Sequence, residues 1–523
     1  MPRVLACATL LALTAIWLLS GRGGLGVAGQ WVLQPNARPW PLGAWLLPLG
    51  VLLIFGGAAA LSIYDRFRRA KDVREKRNST LTALFCLALL SFLWPWALLG
   101  PGDISQSGTR GERPHLTFEG RFNIIAALWS DVATEYFGVA YQIDNPLQFG
   151  REYAQKWQKP VSPFQAHVAT HPPGAVLFFY GARRVYEAVP ALQNGFTALA
   201  PVLTQQSLAD LHEGANVLRA SASRGVGAPT PPLPISAIGG ALWTAFLLGM
   251  SLVVAIPAVY GLASLGSDGD AAEARGFFAV GLWVLAPTLN LFAFTLDAPI
   301  AAGTAWTLYF VARACHEHGR ARRFNEPEKA QLWMALAGAT LALTSFLSLG
   351  ALAVGLILVL ALALFHRELP RKHLLDGVCV FAITWILLAL IFSFNPLEVA
   401  RNALAVHRAA TLQNRSWAPW AVMNLIVWVA FAGYALVVCL FRKQKPTPIG
   451  AQFGLAGLIT LLVLSLSGNV RGEVERLWLF LLAPAAIWAA SGDFSPRVRA
   501  ILLVLQAAQT LLMAATLGPL VRP

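Results

Sequence analysis

The chain has 523 residues, of which 56% are hydrophobic and only 13% are charged, and its mean hydropathy is +0.58. Soluble domains carry about 25% charged residues, so this composition excludes an ordinary soluble protein and indicates a membrane protein. The net charge of +14 does not indicate nucleic-acid binding, because short cytoplasmic loops of membrane proteins are enriched in Lys and Arg. The five cysteines form no CxxC pair and indicate neither a disulfide framework nor a cysteine metal site.

Apolar runs recur along the whole chain, and a bilayer-spanning helix needs about 20 such residues. They predict an all-α polytopic membrane protein with about 12–14 transmembrane helices. The first run is short enough for a signal peptide, but no clear small-residue cleavage site follows it, which favours an uncleaved span. The predicted helices lie at 4–20, 42–63, 81–99, 235–264, 276–294, 298–314, 331–347, 349–366, 374–393, 418–441, 451–466, 477–490 and 500–517, with a weaker one at 172–190.

Basic segments set the predicted orientation. Residues 65–77 carry seven basic and three acidic side chains, which places this loop in the cytoplasm. The orientations of the two halves of the chain are consistent only if 171–234 contains an even number of spans or none. We expect a re-entrant or interfacial helix there. The basic stretches assigned to the same side are 313–323, 366–373, 442–445 and 497–499. The segments then assigned to the outer face are 100–170, the turn at Asp297, 394–417 and 467–476.

Polar residues collect at four places on this predicted outer face. In the first, segment 129–141, Asp131 and Glu135 share one helical face while Tyr136 and Val139 belong to an apolar stripe. This pattern predicts an amphipathic helix on the membrane surface. Because two carboxylates four residues apart repel each other, one of them is a candidate general base. The alternative is a solvated face of a surface helix.

The second and third places open apolar runs. In the segment 170–174 the two prolines suit a first helical turn, and His171 is either a helix cap or a phosphate ligand held at the membrane surface. Asp297 is a natural N-cap with Pro299 in the turn behind it. Taken alone, the His171 segment favours the structural interpretation, whereas the Asp297 turn suits a structural and a functional role equally.

The fourth place is the segment 467–478, which contains two Arg and two Glu. Glu473 and Arg476 have the spacing of an i,i+3 ion pair, and Arg471 and Arg476 suit a bidentate grip on phosphate. Topology does not require these charges on an outer face, so we favour a function for them. Further residues assigned to the same face are Glu475, the cations His407, Arg408 and Arg415, and the possible interface anchors Trp417 and Trp420.

Taken in chain order, these elements resemble the membrane glycosyltransferases of the GT-C superfamily, which includes protein O-mannosyltransferases and lipid A aminoarabinose transferases. The acidic loop with Tyr136 and Ala140, the His171-Pro172-Pro173 segment, the Asp297 turn and the motif 472–478 follow the order of the family. The chain departs from the family in splitting its adjacent Asp-Glu pair into Asp131 and Glu135, and 191–234 has no counterpart. The resemblance divides the chain into additional helices with the basic loop (1–80) and a GT-C-like catalytic domain (81–523).

The resemblance implies transfer of a sugar from a polyprenyl-phosphate donor to an acceptor hydroxyl of a glycan, lipid or protein, at the outer face of the cell membrane. Asp131 is the first choice for the general base and Glu135 the second. The implied phosphate-binding residues are His171, Arg471, Arg476, His407, Arg408 and Arg415, and the implied supporting residues are Tyr136, Asp297, Glu473 and Glu475.

No cofactor is required by these residues. A divalent cation on Asp131, Glu135 and Asp297 is chemically feasible, but the cations alone suffice for a monophosphate, and we favour the metal-free interpretation. The rival function is a transporter or flippase for a lipid-linked or anionic solute. Transporters commonly place polar residues at the bilayer midplane between repeated halves, whereas this chain shows no internal repeat and places its polar residues at span ends.

Overall fold

The structure is a computed structural model. It describes residues 2–20, 24–28, 30–33, 40–99, 103–107, 115–119, 136–158, 166–204, 207–223, 232–266, 269–324, 329–365, 369–441 and 448–517.

Long helices begin the chain, and shorter ones occupy the described residues between 136 and 223. Two antiparallel hairpins, β1–β2 (Leu25–Val27 and Trp31–Leu33) and β3–β4 (Asp103–Ser107 and His115–Glu119), were not predicted. The helices of this part are α1 (Pro2–Ser20), α2 (Leu42–Arg68), α3 (Val73–Ala97), α4 (Tyr136–Tyr141), α5 (Pro146–Glu152), α6 (Ala166–Thr170), α7 (Gly174–Ala188), α8 (Pro190–Thr204) and α9 (Leu208–Ser223).

The described residues of the second part of the chain form helices joined by turns and loops. Its helices are α10 (Ile235–Ser264), α11 (Gly269–Val284), α12 (Pro287–Leu291), α13 (Asp297–Phe324), α14 (Ala330–Leu347), α15 (Leu349–Phe365), α16 (Arg371–Ile391), α17 (Pro396–His407), α18 (Trp417–Ala432), α19 (Tyr434–Leu440), α20 (Ile449–Ser467), α21 (Val474–Leu477), α22 (Leu479–Ala490) and α23 (Pro496–Leu517).

Among the described residues, eight helices are long and apolar enough to cross a membrane, or nine if the bent pair α18 and α19 forms one span. The prediction of an all-α polytopic membrane protein is confirmed. The expected 12–14 spans exceed these eight or nine, because several apolar runs form shorter or interrupted helices. The run 276–294, for example, is divided between α11 and the five-residue α12.

The segment 171–234 contains α7, α8 and α9, of 15, 15 and 16 residues. None of these three helices is among the candidate spans of the described residues, so the weak span predicted at 172–190 is not found as a membrane-spanning helix. Arg183 of α7 is buried and donates to the carbonyls of Ala140 at 3.1 Å and Tyr141 at 2.7 Å. This helix therefore anchors the preceding loop.

Helix α10 lies at the centre of the fold, and its buried face runs along nearly its whole length. It packs against α3, α7, α11 and α13, and α13 continues the bundle through α14 to α16. At one end, buried Arg66 donates to Glu273 at 2.8 and 2.6 Å and so ties the basic loop to the first residues of α11. The other end of α11 leads through α12 to Asp297.

Candidate functional site: a half-buried ionic cluster

Four charged side chains from three segments form a continuous chain of ion pairs, which we call the ionic cluster: Asp297, Arg476, Glu473 and Arg415. Arg476 Nη1 lies 3.7 Å from Asp297 Oδ2, and Arg476 Nη2 donates to Glu473 Oε2 at 3.1 Å. The second oxygen of Glu473 accepts from Arg415 Nη2 at 3.0 Å. The i,i+3 pair expected from the sequence is confirmed, and two arginines alternate with two carboxylates.

The surroundings of the cluster tune its acids in opposite directions. Burial opposes ionisation of Glu473, but the charges of Arg476, His167 and Arg415 outweigh it and lower the pKa of Glu473 to about 2. Burial raises the pKa of Asp297, an effect that Arg476 partly offsets. Both carboxylates are paired with guanidinium groups, so the cluster of two cations and two anions carries no net charge.

Glu475 lies beside the cluster and is buried, with only 4% of its surface exposed. Its backbone carbonyl accepts a hydrogen bond from the Thr288 hydroxyl of α12, whereas its side-chain Oε2 is buried without a hydrogen-bond partner. Burial and the neighbouring charge of Glu473 raise the pKa of Glu475 to about 8. This carboxyl group is therefore largely protonated at neutral pH.

Two histidines and a tyrosine face the cluster from the α4–α7 region. The ring of Tyr136 lies edge-on to His171 with centroids 5.4 Å apart. His171 Nδ1 lies 3.2 Å from the Leu347 carbonyl oxygen. Burial lowers the pKa of His167 and of His171 to about 4, and the charge of Arg476 adds to the effect on both. Both imidazoles are neutral at pH 7.

The expected capping roles differ from those in the structure. Helix α7 begins at Gly174 with Pro173 as its N-cap and no side-chain cap, so His171 does not cap it. A Cβ at Gly174 would lie 2.1 Å from the Phe346 carbonyl oxygen; this close approach brings His171 to the end of α14. Asp297 is the first residue of α13 rather than its cap, and it accepts from the Thr295 hydroxyl at 3.1 Å.

Arg471 organises the backbone of the site. Its Nε donates to Gly468 O at 2.9 Å, and its Nη1 donates to Leu412 O at 2.8 Å and to Arg415 O. In return Arg415 Nη1 donates to Arg471 O. Three carbonyl groups engage the Arg471 guanidinium, and Arg471 thereby holds Arg415 in position. The phosphate grip by Arg471 and Arg476 stays a prediction.

The two remaining cations of the predicted site, His407 and Arg408, differ in their surroundings. His407 Nε2 lies 2.7 Å from Asn469 O, at the edge of the loop that carries Arg471. Arg408 is exposed one residue further on. Trp417 is 51% exposed, as a membrane-interface residue would be, but Trp420 is fully buried and donates to Gln30 Oε1 at 2.8 Å. The prediction of an interface anchor is therefore wrong for Trp420.

Asp131 and Glu135 lie outside the described residues. The described part of the predicted amphipathic helix is α4, in which Tyr136, Phe137, Gly138, Val139 and Ala140 are all buried. Helix α4 packs against α7, so this part is an element of the core and does not lie on a membrane surface as predicted. Among the described residues, no three His, Cys, Asp or Glu side chains are grouped as metal ligands.

His167 is the residue that the sequence reasoning missed. It lies within electrostatic reach of Arg476, Glu473 and Arg415, and it precedes His171 by four residues. That spacing, immediately before two prolines, was a usable signal, because residues i and i+4 share a face of a helix.

Fold and site together define a polytopic α-helical membrane protein with a half-buried, charge-balanced cluster at one end of its helices. Comparison with protein-family models, with curated proteins and with solved structures finds no match for this chain.

Proposed function

We propose that the protein is a membrane glycosyltransferase that moves a sugar from a polyprenyl-phosphate donor to an acceptor hydroxyl on the outer face of the membrane. The supporting observation is the meeting of Tyr136, His171, Asp297, Arg415 and the Glu473–Arg476 pair, which come from segments far apart in the chain. Removing charged side chains from water costs free energy. A reaction whose transition state develops charge would explain why the protein places them there.

The leaving group of this reaction is a lipid phosphate, whose negative charge grows in the transition state. Preorganised cations in a water-poor site stabilise such charge more effectively than they would in water. Arg476 and Arg415 have this position, and neutral His167 and His171 add hydrogen-bonding nitrogens beside them. These four residues, rather than Arg471, are the proposed phosphate ligands.

The acceptor hydroxyl needs a carboxylate that takes its proton as it attacks the anomeric carbon. Asp131 is the proposed base and Glu135 the second choice. Tyr136 follows Glu135 directly in the sequence and contacts His171, which supports an approach of this acidic segment to the cluster. Direct displacement of the phosphate by the acceptor would invert the anomeric centre.

A transporter or flippase is the second candidate, and the bent pair α18 and α19 favours it. These two helices meet at Gly433 with a bend of 114°, and broken helices form substrate sites in many transporters. Here, however, Gln506 donates to Ala432 O at 2.9 Å, and Gln509 accepts from Tyr434 N at 2.8 Å. Because side chains of the protein already bond the free backbone groups, we favour the enzyme.

The test is transfer of label from a radiolabelled polyprenyl-phosphate sugar to membrane extract by the purified protein. Asp131→Asn should abolish transfer, since the amide cannot accept the proton, while the donor lipid still binds. Glu135→Gln is the matched control, because it removes the same charge four residues away, and it should retain measurable transfer. Substantial transfer by Asp131→Asn would exclude Asp131 as the base, and absence of label transfer from every polyprenyl-phosphate sugar would exclude the proposed reaction.

A further inference from the structure

Glu473 occupies the position that an anionic ligand would take in the ionic cluster. Its two carboxylate oxygens separately accept hydrogen bonds from Arg415 at 3.0 Å and from Arg476 at 3.1 Å. A tetrahedral phosphate offers the same arrangement of two oxygens toward two guanidinium groups. The carboxylate thus resembles a phosphate placed between the two arginines.

The backbone of Glu473 is held in an unusual conformation. It is one of two non-glycine residues with positive φ among the described residues, at φ +60° and ψ +18°. A non-glycine residue in the left-handed region is strained and occurs mainly where surrounding structure imposes it. In this conformation the Glu473 side chain lies between Arg415 and Arg476.

Charge balance distinguishes Glu473 from the other acid of the cluster. An added phosphate would leave the buried site with a net negative charge unless one carboxylate withdrew. The side chain of Glu473 is 28% exposed and that of Asp297 only 12%, so Glu473 has the easier path to water. Asp297 also receives the Thr295 hydrogen bond that fixes it at the start of α13.

We propose that Glu473 is a displaceable counter-anion: the phosphate of the lipid ligand takes its place between Arg415 and Arg476, and the carboxylate swings toward solvent. The inference rests on the proposed phosphate-binding function and adds the order of events at that site. In the unliganded protein Glu473 forms an ion pair with each of the two arginines and lies between them. Its withdrawal compensates one negative charge of the bound phosphate, which is the full charge of a phosphodiester.

The experiment measures binding of farnesyl phosphate to the purified full-length protein in detergent by isothermal titration calorimetry, with farnesol as the phosphate-free probe. Glu473→Gln should bind farnesyl phosphate roughly tenfold more tightly than the wild type, because no charged competitor occupies the arginines and a charge-assisted hydrogen bond contributes about 1.5 kcal/mol or more. Glu473→Gly should show the same gain, and its backbone suits the positive φ, which keeps the fold intact. Farnesol should bind equally to all variants.

Asp297→Asn is the matched control, since it removes one negative charge from the same Arg476 without vacating the position between the arginines. Its gain should be clearly smaller than that of Glu473→Gln. Equal gains from the two variants, or weaker binding by Glu473→Gln and Glu473→Gly, would overturn displacement while leaving phosphate binding by the wild type in place. If the wild type and all variants bind farnesyl phosphate no better than farnesol, both the inference and the proposed function fail.

Discussion

Glu475 and Glu473 are two residues apart, yet their environments make their pKa values differ by several units. Glu473 lies between two guanidinium groups, which keep it ionised, whereas Glu475 has a buried oxygen without a hydrogen-bond partner, which favours the protonated form. The same chemical group therefore acts as an anion at one position and as a neutral acid at the other. Pairs of this kind commonly mark sites where protons are handled.

The raised pKa of Glu475 predicts a loss of stability with rising pH. In the folded protein its pKa is about 8, against 4.5 for the unperturbed side chain, so between these values the folded state binds more protons than the unfolded state. Stability then falls as pH rises through this window, by up to about 1.4 kcal/mol per pH unit. Glu475→Gln should remove this fall, which is measured as the unfolding temperature in detergent between pH 7 and 8.5.

Exposed Glu398 supplies the control, because Glu398→Gln should leave the pH dependence of the wild type unchanged. His167 and His171 act in the opposite direction, since their lowered pKa values destabilise the fold as pH falls from 6.5 toward 4. Measurements above pH 7 avoid most of that effect. An unchanged slope in Glu475→Gln would show that another group carries the proton.

Residue-scale predictions from the sequence succeeded where spacing determines contact. The pair of Glu473 and Arg476 follows from i,i+3 geometry alone. The role of Arg471 does not, because its three carbonyl partners include Leu412 and Arg415, which lie more than 50 residues earlier in the chain. Sequence chemistry identifies a guanidinium, but only the fold determines whether carbonyl groups or a ligand receive its hydrogen bonds.

At the level of elements, the turn between α20 and α21 sets the geometry of the site. Gly472 has φ +92°, and a Cβ there would lie 2.7 Å from Arg415 Nη1 and 3.1 Å from the ring of Trp420. Gly472 N donates to Asn424 Oδ1 of α18 at 3.1 Å, which fixes the turn against that helix. A side chain at position 472 would therefore occupy the space that Arg415 fills.

Gly472→Ala should therefore displace Arg415. Farnesyl phosphate binding should weaken by about tenfold or more, because one charge-assisted contact is lost. Backbone strain should also destabilise the protein by about 1–3 kcal/mol. Calorimetric titration and thermal unfolding measure the two effects. Gly355→Ala is the matched control: Gly355 lies in α15 with open space around it, and alanine there should be neutral or stabilising by up to about 1 kcal/mol. Normal binding by Gly472→Ala would show that Arg415 does not contact the phosphate.

Helix positions were predicted well where an apolar run is continuous and bounded by polar residues. The run 235–264 coincides with α10, and 331–347 matches α14 within one residue. The run 418–441, by contrast, is divided at Gly433 into α18 and α19, and hydropathy contains no sign of that bend. The bend depends on Gln506 and Gln509 of α23, which bond the free backbone groups from elsewhere in the chain.

For the whole molecule, the basic loop and the ionic cluster lie at opposite ends of α11. Arg66 bonds to Glu273 near the beginning of this 16-residue helix, which is about 24 Å long at 1.5 Å per residue, and Asp297 follows beyond its other end. That basic segments and site residues lie on opposite sides of the membrane stays a prediction. The described residues contain eight or nine candidate spans against the 12–14 expected, because several apolar runs form helices too short or too interrupted to meet the length of a bilayer span.

A labelling experiment tests the sidedness directly. Lys71 of the basic loop and Asn469 beside the ionic cluster are both exposed, so Lys71→Cys and Asn469→Cys should each react with a membrane-impermeant maleimide once that face is accessible. If the basic loop is cytoplasmic, Asn469→Cys is labelled in intact cells or spheroplasts, and Lys71→Cys only after permeabilisation. Since Cys379 is the exposed native cysteine in the described chain, a Cys379→Ser background keeps the signal specific. Labelling of Lys71→Cys before permeabilisation would invert the topology and place the proposed sugar transfer on the cytoplasmic side.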